Sequence, residues 1–143
     1  MVLVFDLEAD GFLSEATKVW CIAAQDFTSR EKFFYGPDQI DEGLELLSSA
    51  DVIVAHNLLG YDLPLLLKLS PSFTFNNYED SLILSRLYNP DRPNGHSIEA
   101  WGERLGKQKP EHEDWTQYSE AMRVRCEEDA EINCRVLRVL MQE

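Results

Sequence analysis

The feature of this sequence that most constrains its fold is a short apolar run, Asp51 to Val54, that stands between two helical patterns. In the pattern before it, Ile40, Leu44 and Leu47 recur at three- and four-residue spacing, as on one face of a helix. A brief apolar run in such a position is typical of a strand that is buried on both faces of a sheet. The chain is therefore expected to be an α/β protein in which helices cover a central sheet.

Strand and helix signals follow one another along the rest of the chain in an order that suits one domain. A hairpin turn at 27–30 joins two of the further strands, which are expected at 2–5, 18–26, 31–36 and 73–78. Further helices are expected at 61–69, 81–87 and 98–105, and from about 119 to the end. No repeat or linker interrupts this order, so 1–143 is expected to be a single domain.

The charge balance restricts how this chain can meet a nucleic acid. Lysine and arginine number 13 against 26 aspartate and glutamate residues, so the formal net charge is −13. Duplex nucleic acid is usually held by cationic side chains that neutralise its phosphates, and the chain as a whole lacks such a surface. Metal ions held by carboxylates offset an acidic surface locally, so a metal-dependent contact with nucleic acid is still compatible with this charge.

The sequence indicates an intracellular, cytoplasmic protein with no membrane partner. No stretch approaches the ~20 apolar residues of a membrane helix, and no positively charged leader precedes the first strand. Cys21, Cys126 and Cys134 are odd in number and fit no metal-ligand spacing. They are therefore expected to be reduced thiols.

Asp6 and Glu8 are the first candidate functional residues, and they stand two apart at the end of the first predicted strand. Alternation along a strand places both carboxylates on the same face of the sheet. Adjacent like charges repel unless a cation lies between them or one of them is protonated. The alternative is a solvated strand end, but the apolar strand ahead of the pair favours a central position in the sheet.

Two further carboxylates are expected to reach the same place. Asp62 follows the strand at 51–54, and sites in α/β sheets form at the carboxyl ends of strands. The alternative for Asp62 is that it only caps the helix it begins. Asp129 shares the apolar stripe of the last helix, where an unpaired carboxylate is costly. Converging carboxylate oxygens suit Mg²⁺ or Mn²⁺, and two such ions ~3.5–4 Å apart can promote phosphodiester cleavage.

The ordered motifs of the chain resemble the DEDD superfamily of 3′→5′ exonucleases. Three segments resemble the three motifs of that superfamily: Phe5-Asp6-Leu7-Glu8-Ala9, His56-Asn57-Leu58-Leu59-Gly60-Tyr61-Asp62 and Cys126-Glu127-Glu128-Asp129. The segments 80–87 and 95–106 are similar to the proofreading domains of phage family-A DNA polymerases. The resemblance covers nearly the whole chain and implies a ribonuclease-H-like fold, a five-stranded mixed sheet flanked by helices.

The resemblance implies a role for each metal ligand. Asp6 would bridge two ions, and Glu8 and Asp129 would complete the first metal site, which holds the attacking water. Asp62 would serve the second metal, near the departing 3′ oxygen.

Residues outside the metal site are assigned by the same resemblance. Asn57 would line the substrate path or brace the second motif, and Asp80 would support the site from behind the ligands. Phe12 and Leu13 would wedge against the terminal base, although core packing explains them as well. His96 is a candidate on its own position rather than by resemblance: it precedes a helix cap, where it could contact phosphate or have a structural role.

The third motif departs from the family pattern at one place. The family carries a tyrosine four residues before its last aspartate, or a histidine five residues before it, and here these positions are Arg125 and Val124. Arg125 lies one helical turn before Asp129 and cannot act as a base, but it could hold the scissile phosphate or form a salt bridge with Asp129. Tyr118, three turns away along a continuous helix, and His112, in an acidic loop, are poor substitutes.

The sequence therefore predicts a metal-dependent 3′→5′ exonuclease that releases mononucleotides from single-stranded or frayed DNA. One alternative is an exoribonuclease that acts on RNA 3′ ends. Another is a binding module in which Arg125 disables catalysis while the groove still binds a 3′ end or docks a polymerase. Because Met1 directly precedes the first strand, we expect a free-standing exonuclease in a phage-infected bacterium, with a separate DNA polymerase as a candidate partner; an excised domain is the alternative.

Overall fold

Five strands form one mixed sheet in the computed structural model, which describes residues 1–107 and 114–142. The strands are β1 (Val2–Ala9), β2 (Val19–Asp26), β3 (Lys32–Tyr35), β4 (Val52–Ala55) and β5 (Asn77–Asp80), and their order across the sheet is β3-β2-β1-β4-β5. β1 runs antiparallel to β2 and parallel to β4, and β4 runs parallel to β5. The α/β fold with a five-stranded mixed sheet is thus confirmed.

Helices cover both faces of this sheet. They are α1 (Ile40–Ser49), α2 (Leu63–Leu69), α3 (Ser81–Tyr88), α4 (Ile98–Arg104) and α5 (Glu120–Leu140), with a 3₁₀ turn at Pro37–Gln39 and a π-helical turn at Leu58–Asp62. α1 and α2 pack on one face of the sheet. α5 packs on the other face, and α3 and α4 lie against it.

The alternation of side chains along β1 supplies both cores and positions the carboxylates. Leu3 and Phe5 point toward α1 and α2, and each is at most 1% exposed, which is worth roughly 1.5–3 kcal/mol per side chain. Val4 points to the opposite face and packs against α5. Asp6 and Glu8 share the face of Val4, so they lie beneath α5 toward the carboxyl end of the strand.

Two strand boundaries differ from those expected. β1 was expected at 2–5 but continues to Ala9, because it pairs with β2 along its whole length, as in the pair Glu8–Cys21. The strand expected at 73–78 is wrong in position: Phe73 packs into the core instead, and pairing with β4 begins at Asn77. β5 lies at the sheet edge with three exposed residues, so it needs no apolar pattern to mark it.

The described part of the chain contains no helix that is both long enough and apolar enough to cross a membrane. The three cysteines, Cys21, Cys126 and Cys134, are all buried free thiols.

Candidate active site

Asp6 and Glu8 place their carboxylates side by side beneath α5. One carboxylate oxygen from each residue and the sulfur of Cys126 all lie within 4.8 Å of one another. Glu8 is 8% exposed, and one carboxylate oxygen of Asp6 is buried. Two carboxylates this close and this poorly hydrated favour a bound cation or a shared proton.

Cys126 stands behind these carboxylates as a neutral hydrogen-bond donor. It is fully buried, and its thiol donates to the backbone carbonyl of Asp6 at 3.5 Å. Burial raises the pKa of the Cys126 thiol well above its usual range, and a hydrogen bond with Cys21 adds to this shift. The thiol therefore stays protonated, whereas a metal ligand would have to be a thiolate.

Asp62 reaches the cluster from a turn of unusual shape. After β4, Asn57 adopts a left-handed backbone with φ 70°, and the π-helical turn Leu58–Asp62 follows it. Gly60 lies against the Asn57 side chain, and a Cβ at this position would displace the side-chain oxygen of Asn57. The turn brings Asp62 to the start of α2 with its side chain buried at 5% exposure.

Asp62 is buried close to other carboxylates. Its side chain makes no capping hydrogen bond to α2, so the helix-cap alternative does not describe it. Burial raises the pKa of Asp62 well above its ordinary value, and the negative charges of Asp80, Glu8 and Asp129 raise it further. Asp62 thus lies within electrostatic reach of two of the other expected metal ligands.

Asp129 comes from the middle of α5. Ser119 caps this helix by accepting a hydrogen bond from the Met122 N–H at 3.2 Å. Asp129 is 8% exposed, on the buried stripe that the sequence predicts, and it lines a cavity together with Asp6. Asp6 and Glu8 thus lie side by side, whereas Asp129 shares a cavity with Asp6 and Asp62 lies within electrostatic reach of Glu8 and Asp129. Neither Asp62 nor Asp129 belongs to the group of described residues whose ligand atoms all lie within 4.8 Å of one another.

Asp80 fixes the turn that carries Asn57 and Asp62. Its buried carboxylate accepts hydrogen bonds from the backbone N–H groups of Asn57 at 2.9 Å and Leu59 at 3.0 Å. It also accepts from the N–H of Leu82 at 3.0 Å, which caps α3. One side chain thereby ties the turn after β4 to the start of α3.

Two cavities adjoin the carboxylates. The first, which we call the aromatic cavity, has a volume of about 490 Å³ and is lined by Glu8 together with Phe12, Tyr61 and Trp115. The second, which we call the polar cavity, has a volume of about 560 Å³, and its lining includes Asp6, Asn57, Arg86, Ser97 and Asp129. Glu8 thus opens on one cavity, while Asp6 and Asp129 open on the other.

The loop between β1 and β2 presents Phe12 at the aromatic cavity. Phe12 is 80% exposed, whereas Leu13 packs against the core, as one of the two sequence alternatives holds. The loop is held by Lys68, which donates to the Leu13 carbonyl at 2.9 Å, and by the Tyr61 hydroxyl, which donates to the Gly11 carbonyl at 2.8 Å. Burial raises the pKa of Tyr61 to about 12, so this donor stays protonated.

Arg125 faces the carboxylates, as its position one turn before Asp129 predicts. Its Nε lies 3.9 Å from Oε1 of Glu8, and its Nη2 lies 3.9 Å from Oε1 of Glu99. Its guanidinium also lies over the ring of Trp115, 5.5 Å from the centroid. Of the carboxylates predicted for the first metal, Glu8 is thus an ion-pair partner of Arg125.

The two histidines of the polar cavity are both held by hydrogen bonds. The His96 ring contacts the hydroxyl of Ser85 at 2.7 Å and the carbonyl of Pro90 at 3.1 Å, so both of its nitrogens are occupied in fixing the loop before α4. The His56 ring contacts the hydroxyl of Ser81 at 2.8 Å and the His96 carbonyl at 2.5 Å. Burial lowers the pKa of His56, so its ring is neutral.

Sequence reasoning missed Tyr61, Trp115 and Arg86, which line the two cavities. Arg86 lies one helical turn after Leu82, on a helix that begins beside Asp80. This spacing could have indicated that Arg86 lies near the site. Tyr118 lies just before the N-cap of α5, where the sequence places it, and packs near Cys126. His112 lies outside the described residues.

The chain is similar in sequence to two phage DNA polymerases. It is 30% identical to the DNA-directed DNA polymerase of Escherichia phage T7 over 141 aligned positions, which cover 79% of the chain and 20% of the polymerase. The DNA-directed DNA polymerase of Enterobacteria phage T3 is 31% identical with the same coverage. The chain therefore spans about one fifth of the length of these relatives. No protein-family model matches it.

Solved nuclease structures share its fold. Exonuclease X in complex with 5′ overhanging duplex DNA has a TM-score of 0.69 and 15% identity, covering 99% of this chain and 92% of that one. RNase D of Escherichia coli, an exoribonuclease involved in structured RNA processing, has a TM-score of 0.72 and 16% identity, covering 99% and 39%. Brucella melitensis NrnC with bound Mg²⁺ has a TM-score of 0.72 and 15% identity, covering 99% and 72%.

These similarities settle the sequence-based expectation of the fold. The ribonuclease-H-like architecture is confirmed by nuclease structures that cover nearly the whole chain. The resemblance to the DEDD exonucleases is confirmed as well: the chain is homologous to a segment of the phage T7 and T3 DNA polymerases and has the fold of ribonuclease-H-like exonuclease domains.

Proposed function

We propose that this chain is a two-metal-dependent 3′→5′ exonuclease that hydrolyses the last phosphodiester bond of single-stranded or frayed DNA and releases nucleoside monophosphates. The observation that carries this proposal is the adjacent pair of carboxylates at Asp6 and Glu8, with Asp129 on the same cavity as Asp6 and the buried Asp62 within electrostatic reach of Glu8 and Asp129. Homology to phage DNA polymerases supports an exonuclease and favours DNA over RNA as its substrate.

The cluster fits a pair of hard divalent cations. Four neighbouring carboxylates carry an excess of negative charge. Burial raises the pKa of Asp62, and the charges of Asp80, Glu8 and Asp129 raise it further. Oxygen ligands of this kind suit Mg²⁺ or Mn²⁺, and a structure of the similarly folded NrnC is described with bound Mg²⁺. When bound, such ions activate a water for attack on the phosphodiester and neutralise charge on the departing oxygen.

Each carboxylate has an assigned place in this proposal. Asp6 would contribute to both metal positions, since it lies beside Glu8 and also lines the polar cavity with Asp129. Glu8 and Asp129 would complete the first position, and Asp62 would serve the second. Asp80 keeps the turn that carries Asp62 in place through its three backbone hydrogen bonds.

The aromatic cavity suits the 3′-terminal nucleoside. Bases stack on aromatic side chains without regard to sequence, and Phe12 is an exposed aromatic on a loop that is held from two sides. Trp115 lines the same cavity, next to the guanidinium of Arg125. Arg125 is therefore positioned to contact the phosphate that enters between this cavity and the carboxylates.

The contact between Arg125 and Glu8 favours one second candidate. Arg125 pairs with Glu8, so its guanidinium competes with the first metal ion for the Glu8 carboxylate. A chain that fails to bind this ion could still bind a 3′ end without cleaving it. Such a binding module would retain the cavities and lose turnover. Metal-dependent hydrolysis separates the two functions.

The same homology supports the proposal of a proofreading role. The matching relatives are DNA polymerases, and this chain corresponds to one fifth of their length. We propose that it acts on 3′ ends left by a DNA polymerase, as a separate protein or as part of a longer one. An intracellular site of action accords with such a substrate.

The test follows 5′-labelled single-stranded DNA over time in Mg²⁺ or Mn²⁺. We expect a ladder that shortens from the 3′ end and that is lost with EDTA and in Asp6→Asn. Asp38→Asn, an exposed aspartate in the 3₁₀ turn before α1, is the matched control and should retain full activity. Absence of cleavage by folded protein in either metal would reject hydrolysis of DNA, and the same assay on RNA would then test the exoribonuclease alternative.

A further inference from the structure

We infer that Arg86 binds a phosphate on the 5′ side of the scissile bond, so that the polar cavity holds the strand that leads to the carboxylates. The inference rests on the proposed function and adds a determinant of substrate length to it. Arg86 belongs neither to the predicted metal ligands nor to the residues assigned by resemblance.

The polar cavity connects Arg86 with the carboxylates. Asp6 and Asp129 form part of its lining, and Leu82 and Arg86 of α3 form another part. Leu82 and Arg86 are four residues apart, so they lie on the same face of the helix, one turn from each other. In the proposed function, the 3′-terminal nucleoside lies in the aromatic cavity and the scissile phosphate lies at the carboxylates. The rest of the strand can then continue from the carboxylates into the polar cavity.

Arg86 is the side chain of the polar cavity whose charge favours binding of a phosphate. The other charged side chains of the lining are Asp6, Glu99 and Asp129, which repel a polyanion. His56 is neutral because burial lowers its pKa, and both ring nitrogens of His96 are engaged. Arg86 therefore supplies the positive charge of the described cavity wall.

Arg86 also has its guanidinium available. Several other arginines of this acidic chain are engaged: Arg123 pairs with Glu127, Arg125 with Glu8, and Arg138 donates to a backbone carbonyl. Arg86 is exposed, and across residues 1–107 and 114–142 no ion pair or hydrogen bond holds its side chain. An available guanidinium can bind two phosphate oxygens at once.

The helix that carries Arg86, α3, is fixed relative to the carboxylates. The distance along the strand between the scissile phosphate and the phosphate that Arg86 contacts is therefore also fixed. Asp80 caps α3 and at the same time holds the turn at Asn57. The hydroxyl of Ser81 donates to Oδ1 of Asn133 on α5 at 2.6 Å, one turn beyond Asp129. α3 is therefore attached to both the second-motif turn and the helix of the third motif.

Substrate length is the variable that tests the inference. A dinucleotide without terminal phosphates contains only the scissile phosphate, whereas three or more nucleotides add phosphates that can reach Arg86. For wild type, kcat/KM on oligo(dT) should rise between two and four nucleotides. Arg86→Ala should lose about tenfold on the longer substrates, mainly through KM, and be unchanged on the dinucleotide. Arg86→Lys should recover part of the loss.

Binding provides a readout that does not depend on turnover. Anisotropy of 5′-fluorescein-labelled dT8, with Ca²⁺ in place of Mg²⁺, gives the dependence of affinity on salt. Loss of one phosphate contact should reduce the slope of log K against log salt by about 0.7 in Arg86→Ala. Arg30→Asn is the matched control, because Arg30 lies in the β2–β3 turn at the far end of β2 from Cys21 and asparagine tolerates its left-handed backbone.

The outcomes separate this inference from the proposed function. It is overturned if Arg86→Ala keeps the wild-type length dependence and salt slope, or if wild type cleaves the dinucleotide as efficiently as the octamer. If wild type cleaves nothing but binds dT8 with a salt slope that Arg86→Ala reduces, hydrolysis is rejected and the phosphate contact stands. If wild type neither cleaves nor binds, both are rejected.

Discussion

Among single residues, Asp62 is the one whose chemistry folding changes most clearly. Burial and nearby carboxylates raise its pKa, so the folded chain binds the Asp62 proton more tightly than the unfolded chain does. The stability gained from this proton is complete below the ordinary pKa of an aspartate and is lost as the pH rises through the raised folded value. In metal-free protein at neutral pH, an ionised Asp62 therefore destabilises the fold.

Replacing Asp62 should remove activity and increase the stability of the metal-free protein. Asp62→Asn should abolish hydrolysis yet raise the free energy of unfolding of the metal-free protein at pH 8, by about 1.4 kcal/mol for each unit of the pKa shift. The gain should shrink as the pH falls toward the ordinary pKa of an aspartate, because below that value the wild-type carboxyl is protonated in both the folded and the unfolded state. Thermal unfolding in EDTA from pH 4 to pH 8 measures this, with Asp38→Asn as the control. A lower Tm for Asp62→Asn at pH 8 would contradict the argument.

Arg125 leads to a prediction in the opposite direction. It occupies the place of a tyrosine that orients the water in the family, and it pairs with Glu8 instead. Arg125→Tyr should therefore raise kcat on single-stranded DNA, by up to the ~10²–10⁴-fold that a positioned acid or base typically contributes. Arg125→Gln removes the ion pair without supplying a phenol and should gain less. Unchanged or lower turnover of Arg125→Tyr would show that Arg125 does not impair catalysis.

The residue positions that could be predicted from the sequence are those that depend on local periodicity. Asp6 and Glu8 share a strand face because the side-chain period of a strand is two, and Asp129 shares a buried stripe because the period of a helix is 3.6. The contact of Arg125 with Glu8 and the place of Trp115 in the aromatic cavity depend on how distant segments lie against the sheet. No local spacing encodes such a relation.

At the scale of elements, the turn between β4 and α2 carries the largest departure from regular structure. A helix was expected from 61, and its position was nearly correct, because Leu63, Leu65 and Leu66 form a buried apolar face. The π-helical turn before it was not foreseen, since it depends on the left-handed Asn57 and its contact with Gly60. β5 was misplaced for the related reason that an exposed edge strand has no apolar pattern.

The close approach within this turn can be tested by a pair of substitutions. Gly60→Ala places a methyl group against the Asn57 amide, which must move because the backbone of the turn is held by Asp80. We expect a loss of kcat/KM similar to that of Asn57→Ala, and a change in Tm of only a few degrees. Because the clash needs both side chains, Asn57→Ala with Gly60→Ala should be no worse than Asn57→Ala alone. Additive losses in the double variant would place the effect of Gly60 in the backbone instead.

For the whole molecule, a net charge of −13 leads us to expect that the divalent metal proposed for the site also stabilises the fold. The carboxylates repel one another in the folded state and separate on unfolding, so ions that bind only the folded cluster shift the equilibrium toward it. At a concentration of 100 times Kd, one such ion contributes about 2.7 kcal/mol. For a chain of this size we expect Mg²⁺ or Mn²⁺ to raise the Tm by roughly 5–10 °C.

The general effect of salt must be separated from this specific one, because cations also screen the self-repulsion of an acidic chain. Screening acts on all 26 acidic residues, so it should stabilise Asp129→Asn and Asp38→Asn alike. Binding at the cluster needs Asp129, so at constant ionic strength the rise in Tm should be reduced in Asp129→Asn and retained in Asp38→Asn. Equal shifts in both variants would mean that the metal acts only by screening, and the two-metal site proposed for these four carboxylates would then be wrong.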